Sequence, residues 1–165
     1  MRAKFAGFSL QDYLPLRGVS RVTHHGKMTW DKLAKLIKAG YGQGHFNGYK
    51  PWLPLRKRDY SPVSTTGHHP SPDMGHNQHY RSVGEKRLTL LIKWLGAADA
   101  RDQYPMWPWP HQQPAVGLPR IEHMKTAPGL LDIASGAEIE HGYYVGTDIP
   151  YVATLDLVST WKNGD

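Results

Sequence analysis

The segment that most constrains the fold is Ser82-Val83-Gly84-Glu85-Lys86-Arg87-Leu88-Thr89-Leu90-Leu91-Ile92-Lys93-Trp94-Leu95. Leu88, Leu91, Ile92 and Leu95 recur at i, i+3, i+4 and i+7, the spacing of one helical face. They predict a helix over 84–95 with that stripe buried. Glu85 stands one turn before Leu88 and two before Ile92, along the edge of the stripe, while Lys86 and Lys93 point elsewhere. A carboxylate turned toward a core is costly unless something pairs with it. A second acid is placed in the same way. Tyr151-Val152-Ala153-Thr154-Leu155-Asp156-Leu157-Val158 is apolar on both faces, which predicts a strand in the middle of a sheet. Asp156 shares a face with Val152 and Val158.

Around these two elements the chain alternates short regular pieces with irregular ones. Residues 1–28 read as an irregular N-terminal arm, and a single domain over 29–165 is expected to follow it. Thr29 can cap a short helix over 29–39 with Leu33, Leu36 and Ile37 on its apolar face and Gly40 as its stop. Gly40-Tyr41-Gly42-Gln43-Gly44-His45 has no strand before it and no helix after it, so it is not a phosphate-cradling loop. Tyr49-Lys50-Pro51-Trp52-Leu53-Pro54-Leu55 is extended and at best an edge strand. Ser, Pro, Gly and His make 61–81 a loop by composition. A short strand is predicted over 100–105, ended by Trp107-Pro108-Trp109-Pro110, and a second irregular stretch runs from 111 to 128. A short helix is expected over 129–135. Asn163-Gly164 is a tight-turn signal that calls for a returning strand beyond Asp165.

The absence of cysteine excludes disulfides, thiolate zinc sites and a cysteine nucleophile. No apolar run reaches the length of a membrane span and no signal-peptide core opens the chain, so a cytoplasmic protein without a membrane partner is expected. A net charge of +6, with Arg56-Lys57-Arg58 as its densest cluster, suits a polyanion, and DNA is the first candidate. The three basic side chains can grip phosphates or form a solvated loop.

If Glu85 and Asp156 converge, two carboxylates supply what Mg²⁺ needs, oxygen ligands with waters left for substrate phosphates. The ion then polarises a phosphoryl oxygen and acidifies a bound water. The plainer alternative is that each acid is satisfied locally, Asp156 by backbone or an arginine and Glu85 by solvent. His68, His69, His76 and His79 invite a zinc reading, but without cysteines and among Pro and Gly their geometry is unspecified. Trp107 and Trp109 can stack on bases, or plug a core between prolines.

Gly40-Tyr41-Gly42-Gln43-Gly44 and Tyr49-Lys50-Pro51-Trp52-Leu53 resemble the "GRGQG…Y-(K/I)-P-W-(L/I)" pattern of TnsA-type transposon endonucleases. That family is a branch of the restriction-endonuclease-like PD-(D/E)xK superfamily. Glu85 followed nine residues later by Trp94 is similar to its helix. Asp99-Ala100-Arg101-Asp102-Gln103-Tyr104-Pro105 resembles its "D-I-R-E-Q-F-P" strand. Asp132-Ile133-Ala134-Ser135-Gly136 and His141 resemble its "IA…G…HP" segment, and Thr154-Leu155-Asp156-Leu157-Val158 its "TDFLV". The ordered series runs from about Thr29 to the C-terminus.

The resemblance implies an α/β fold with a mixed central sheet flanked by helices. It also implies that Glu85 and Asp156 are the two metal-binding, catalytic acids. It implies Mg²⁺-dependent cleavage of DNA at a transposon end, with Mn²⁺ as a substitute, beside a separate transposase and a regulatory ATPase. Arg56, Lys57, Arg58 and Lys86 become candidate DNA contacts, as does His79, which falls where the family also has histidines. The family's Gln-x-Lys pair lies on a later strand that this sequence does not reach, so its last core strand is missing from the 165 residues. Lys162 precedes the predicted turn and does not replace it. A second expectation follows from that gap: a catalytically incomplete nuclease fold kept as a structural protein, such as a phage head-completion or neck component in the virion. The arm at 1–28 and an exposed Trp-Pro segment would then dock phage head or neck proteins.

Overall fold

The computed structural model describes residues 28–55, 66–72, 75–118 and 126–162, together with the backbone of short strands at 4–5, 8–9 and 21–22. The chain is α/β. Its elements are β1 (Lys4–Phe5), β2 (Phe8–Ser9), β3 (Arg21–Val22), α1 (Trp30–Lys38), β4 (Gly67–His69), β5 (Gln78–Tyr80) and α2 (Val83–Trp94). They continue with β6 (Asp99–Met106), α3 (Leu130–Gly136), β7 (Tyr143–Tyr144) and β8 (Ala153–Thr160). Among the described residues the strands pair two by two: β1 with β2 and β4 with β5 antiparallel, β3 with β7 parallel, and β6 with β8. The turn and strand expected around and beyond Asn163 lie outside the described residues, as does Arg56-Lys57-Arg58.

The contacts divide the chain into two compact units, Met1–Ala39 with Met106–Ala153, and Gly40–Pro105 with Thr154–Asp165. In the first, α1 forms as its sequence predicts. Thr29 accepts the Lys32 N–H at 3.2 Å as N-cap, and Leu33 and Ile37 are buried on one face. Trp107 and Trp109 are almost wholly buried, Trp109 with its ring 6.0 Å from that of Trp30. They are core plugs, and the exposed Trp-Pro docking segment of the structural-protein reading is not present. The start of α3 is laid across this segment, with Leu130 and Leu131 N–H donating to the Trp107 and Pro108 carbonyls at 2.9 and 3.0 Å. Gly129 makes that approach possible, because a β-carbon there would fall on the Pro108 and Trp109 backbone.

In the second unit, the Gly40–Gly44 turns lead through a 3₁₀ turn at Phe46–Gly48 into the extended segment bearing Tyr49 and Trp52, both buried. This segment is no strand; one ladder-like bond, Trp52 N–H to the Gln103 carbonyl at 3.2 Å, ties it to β6. The histidine-rich stretch read as a loop holds the β4–β5 hairpin, with His68 opposite His79. Gln78 fixes β5 beside β6 by donating from Nε2 to the Ala100 carbonyl at 2.9 Å.

Two burial expectations are corrected. The helix exists, but it is turned the other way: Leu88, Leu91 and Leu95 are 46, 50 and 55 % exposed, and Thr89 on the opposite side is its buried residue. The most buried strand is β6, not β8. Asp99 through Pro105 are all buried, whereas β8 is half-exposed and has β6 as its paired neighbour. Among the described residues no helix is long and apolar enough to cross a membrane.

Candidate functional site

Glu85 sits in the first turn of α2. Ser82 is the N-cap, extended at φ −148° and ψ 159°, and its Oγ accepts the Glu85 N–H at 3.1 Å. Glu85 Oε2 accepts the Arg81 N–H at 2.8 Å, so the carboxylate closes the helix start while the helix dipole favours its charge. Because α2 is turned with Thr89 inward, Glu85 lies on the covered side and is half-buried. The local-satisfaction reading therefore holds for one oxygen, though the partner is a backbone N–H rather than solvent.

Asp156 is exposed on β8, which corrects the inward orientation expected of it. It belongs to the same compact unit as Glu85, and no hydrogen bond or ion pair links the two. Their oxygens are the right donor type for Mg²⁺, which takes one or two carboxylates and keeps several waters. Among the described residues, no group of three His, Asp or Glu is arranged to close around a metal.

The other candidates are placed as follows. The Lys86 ammonium lies 5.5 Å from the Tyr80 ring centroid, a cation–π contact that holds it against β5. The half-buried His79 accepts the Leu55 N–H on Nδ1 at 3.2 Å. Burial pushes its pKa below the usual histidine value, against the upward pull of Asp102. Its backbone N–H donates to Asp102 Oδ2 at 3.0 Å. His79 thus ties β5 to β6 through its backbone N–H and to Leu55 through its ring.

The residues that sequence reasoning passed over are on β6. Asp99 and Asp102 are buried, a rare state for carboxylates unless they are paired. Asp99 Oδ2 has Arg101 Nε and His45 Nδ1 each at 3.6 Å, and it accepts the Phe46 N–H at 3.4 Å. Asp102 faces His76 at 3.7 Å and His79 at 3.9 Å. The Tyr49 hydroxyl donates to the Asp102 carbonyl at 2.8 Å, and burial, then the charge of Asp102, drives the Tyr49 pKa upward. Next to Asp102, Gln103 holds a left-handed φ of 48° inside the strand. Asp99 Oδ1, Asp102 Oδ1 and Gln103 Nε2 on β6, and Gln78 Oε1 on β5, are buried with no hydrogen-bond partner among the described residues, and strain together with unmet polar atoms is a feature that recurs at functional sites. The signal available beforehand was the pairing of a charged strand sequence with a histidine-rich stretch just upstream.

What these observations define is an α/β unit with an acid at a helix start, a second acid on a strand, and a buried acidic strand between the hairpin and β8. No protein-family profile matches the chain. The chain is similar to the Tn7 transposition protein TnsA of Escherichia coli, 33 % identical over 87 residues. That match covers 52 % of this chain and 31 % of TnsA, so the chain spans about a third of the relative it matches.

Proposed function

We propose that this chain is the nuclease part of a TnsA-like DNA endonuclease, cutting phosphodiester bonds with Mg²⁺ at a transposon end. The similarity to TnsA carries the reading. It is supported by Glu85, held on the covered side of α2 with only one oxygen engaged by a described residue, and by Asp156, exposed within the same unit. Glu85 and Asp156 would hold the ion, whose chemistry is to polarise the phosphoryl oxygen and acidify a water. The Arg81 N–H orients Glu85, and the Ser82 cap fixes the turn from which it projects. The chain's net charge of +6 favours the DNA backbone over neutral partners.

The test is nicking of supercoiled plasmid by the native chain and by Asp156→Asn, with Mg²⁺, with Mn²⁺ and with chelator. Metal-dependent nicking that Asp156→Asn lowers by about 100-fold or more supports the proposal. Absence of nicking with either metal, or nicking that the variant leaves unchanged, refutes it and leaves a nuclease fold used for its surfaces.

A further inference from the structure

The outward face of α2 carries six exposed large hydrophobic side chains. Val83, Leu88, Leu90, Leu91 and Leu95 are 40–55 % exposed and Trp94 is 81 % exposed, all on the side of the helix opposite Thr89. At these exposures the six side chains leave about 600 Å² of contiguous apolar surface, the upper end of what a monomer keeps in one patch. That is close to the roughly 800 Å² per partner of a standard specific interface. The other cations of the helix are turned away from this face. Lys86 rests on Tyr80, and Lys93 donates to Ser71 Oγ at 2.6 Å. Arg87 alone carries charge there, and it is exposed.

We infer that this face is covered by the same face of a second copy of this chain, the two α2 helices packing antiparallel about a two-fold axis near Leu90 and Leu91. Two features favour a copy over an unrelated partner. First, an isologous contact needs a patch complementary to itself, and Arg87 and Trp94 supply that. They lie seven residues, about 10 Å, apart along the helix. They are equally spaced about the point between Leu90 and Leu91, so an antiparallel pair sets each Arg87 guanidinium over the partner's Trp94 and brings the two Leu91 side chains together across the axis. A guanidinium over an indole is attractive, and the two contacts form together. Second, with one formal charge on the face and that charge matched to an aromatic ring, the two copies do not repel despite the basic chain. Glu85 lies on the opposite arc of the helix, so the contact leaves the acid uncovered. The inference does not depend on the nuclease reading.

Sedimentation velocity over a micromolar concentration series tests it, on the full chain and on Leu91→Asp, Trp94→Asp and Arg87→Glu. All three positions are exposed, so the helical circular dichroism of the variants should match the native chain. The expected result is a concentration-dependent dimer, abolished by either aspartate and weakened by about tenfold in Arg87→Glu, the loss of one favourable contact per copy. Because the chain has no cysteine, Leu91→Cys gives an independent reading. It should form a disulfide-linked dimer on mild oxidation, while Asp31→Cys, on exposed α1 surface, should not. A chain that stays monomeric throughout, a dimer untouched by Leu91→Asp, or equal cross-linking from both cysteines overturns the inference.

Discussion

Glu85 has two possible duties that one pair of substitutions separates. As a cap it contributes one hydrogen bond to the Arg81 N–H, at 2.8 Å, and a favourable charge at the start of α2. A lost half-exposed cap bond costs about 1 kcal/mol and the lost charge about 0.3–1 kcal/mol. Glu85→Ala should therefore destabilise the chain by about 1–2 kcal/mol. Glu85→Gln keeps an acceptor for the Arg81 N–H and loses only the charge, so about 0.5 kcal/mol. For a chain of this size 1 kcal/mol moves Tm by about 2–4 °C, which places Glu85→Gln within about 2 °C of the native protein. As a metal ligand, however, the carboxylate would hold the ion that stabilises developing charge by several kcal/mol, and losing the ion would lower the rate by about 100-fold or more. Thermal melts alongside plasmid nicking in Mg²⁺ make the comparison. Near-native Tm with nicking lost in Glu85→Gln is the expected pair of results. Nicking at the native rate in Glu85→Gln, with a lowered Tm in Glu85→Ala, would show that Glu85 is a cap and nothing else.

Other substitutions probe the core that carries the site. Trp109→Ala should cost about 3–5 kcal/mol by urea unfolding, the range for emptying a buried tryptophan site; loss of DNA binding at unchanged stability would instead restore the base-stacking role. Gly129→Ala should cost about 1–3 kcal/mol, because the added methyl has no space between α3 and the Pro108–Trp109 backbone, and a native-like melting curve would contradict that packing. His79 is held neutral by burial, so its folded pKa lies below the unfolded value near 6.5. Its contribution is complete above that value and is lost as pH falls through the folded pKa, because the unfolded chain then binds the extra proton. Stability should drop as pH falls below about 6.5, and His79→Gln should flatten that slope; an unchanged slope would place the titration elsewhere.

Much of the secondary structure could be read from local signals because local physics sets it. The spacing of Leu33 and Ile37 and the Thr29 cap specify α1, and the Ser82 cap specifies where α2 begins. Facing is another matter. The leucine stripe of α2 names one side of a helix without naming what that side meets, and here it is Glu85, Thr89 and Lys93 that meet β5 and its neighbours. The hairpin β4–β5 was hidden because its Gly, Ser and His composition is that of a loop. What makes it a pair is cross-strand registry, His68 opposite His79 with ring centroids 4.5 Å apart, and no local pattern encodes that. The inward orientation expected of Asp156 rests on the premise that a strand apolar on both faces is central. On β8 the apolar residues are themselves partly exposed, so the premise fails before the acid is considered.

β6 shows the same limit from the other side. Asp-Ala-Arg-Asp-Gln-Tyr-Pro reads as a surface strand, since two carboxylates, a guanidinium and an amide are costly to bury. It is nevertheless the most buried strand because each charge finds a partner from a different part of the unit. Asp99 has His45 from the glycine turns and Arg101 from its own strand; Asp102 has the β5 backbone and the two histidines before it. None of those partners is within reach in sequence except Arg101. Breaking one member of such a set strands the rest, which costs about 3–5 kcal/mol for a buried ion pair. The strand that sits beside the β4–β5 hairpin and pairs with Asp156's strand is therefore held from several parts of the unit. If Glu85 and Asp156 hold a metal ion as proposed, a strand fixed in this way would help to keep the two acids in place.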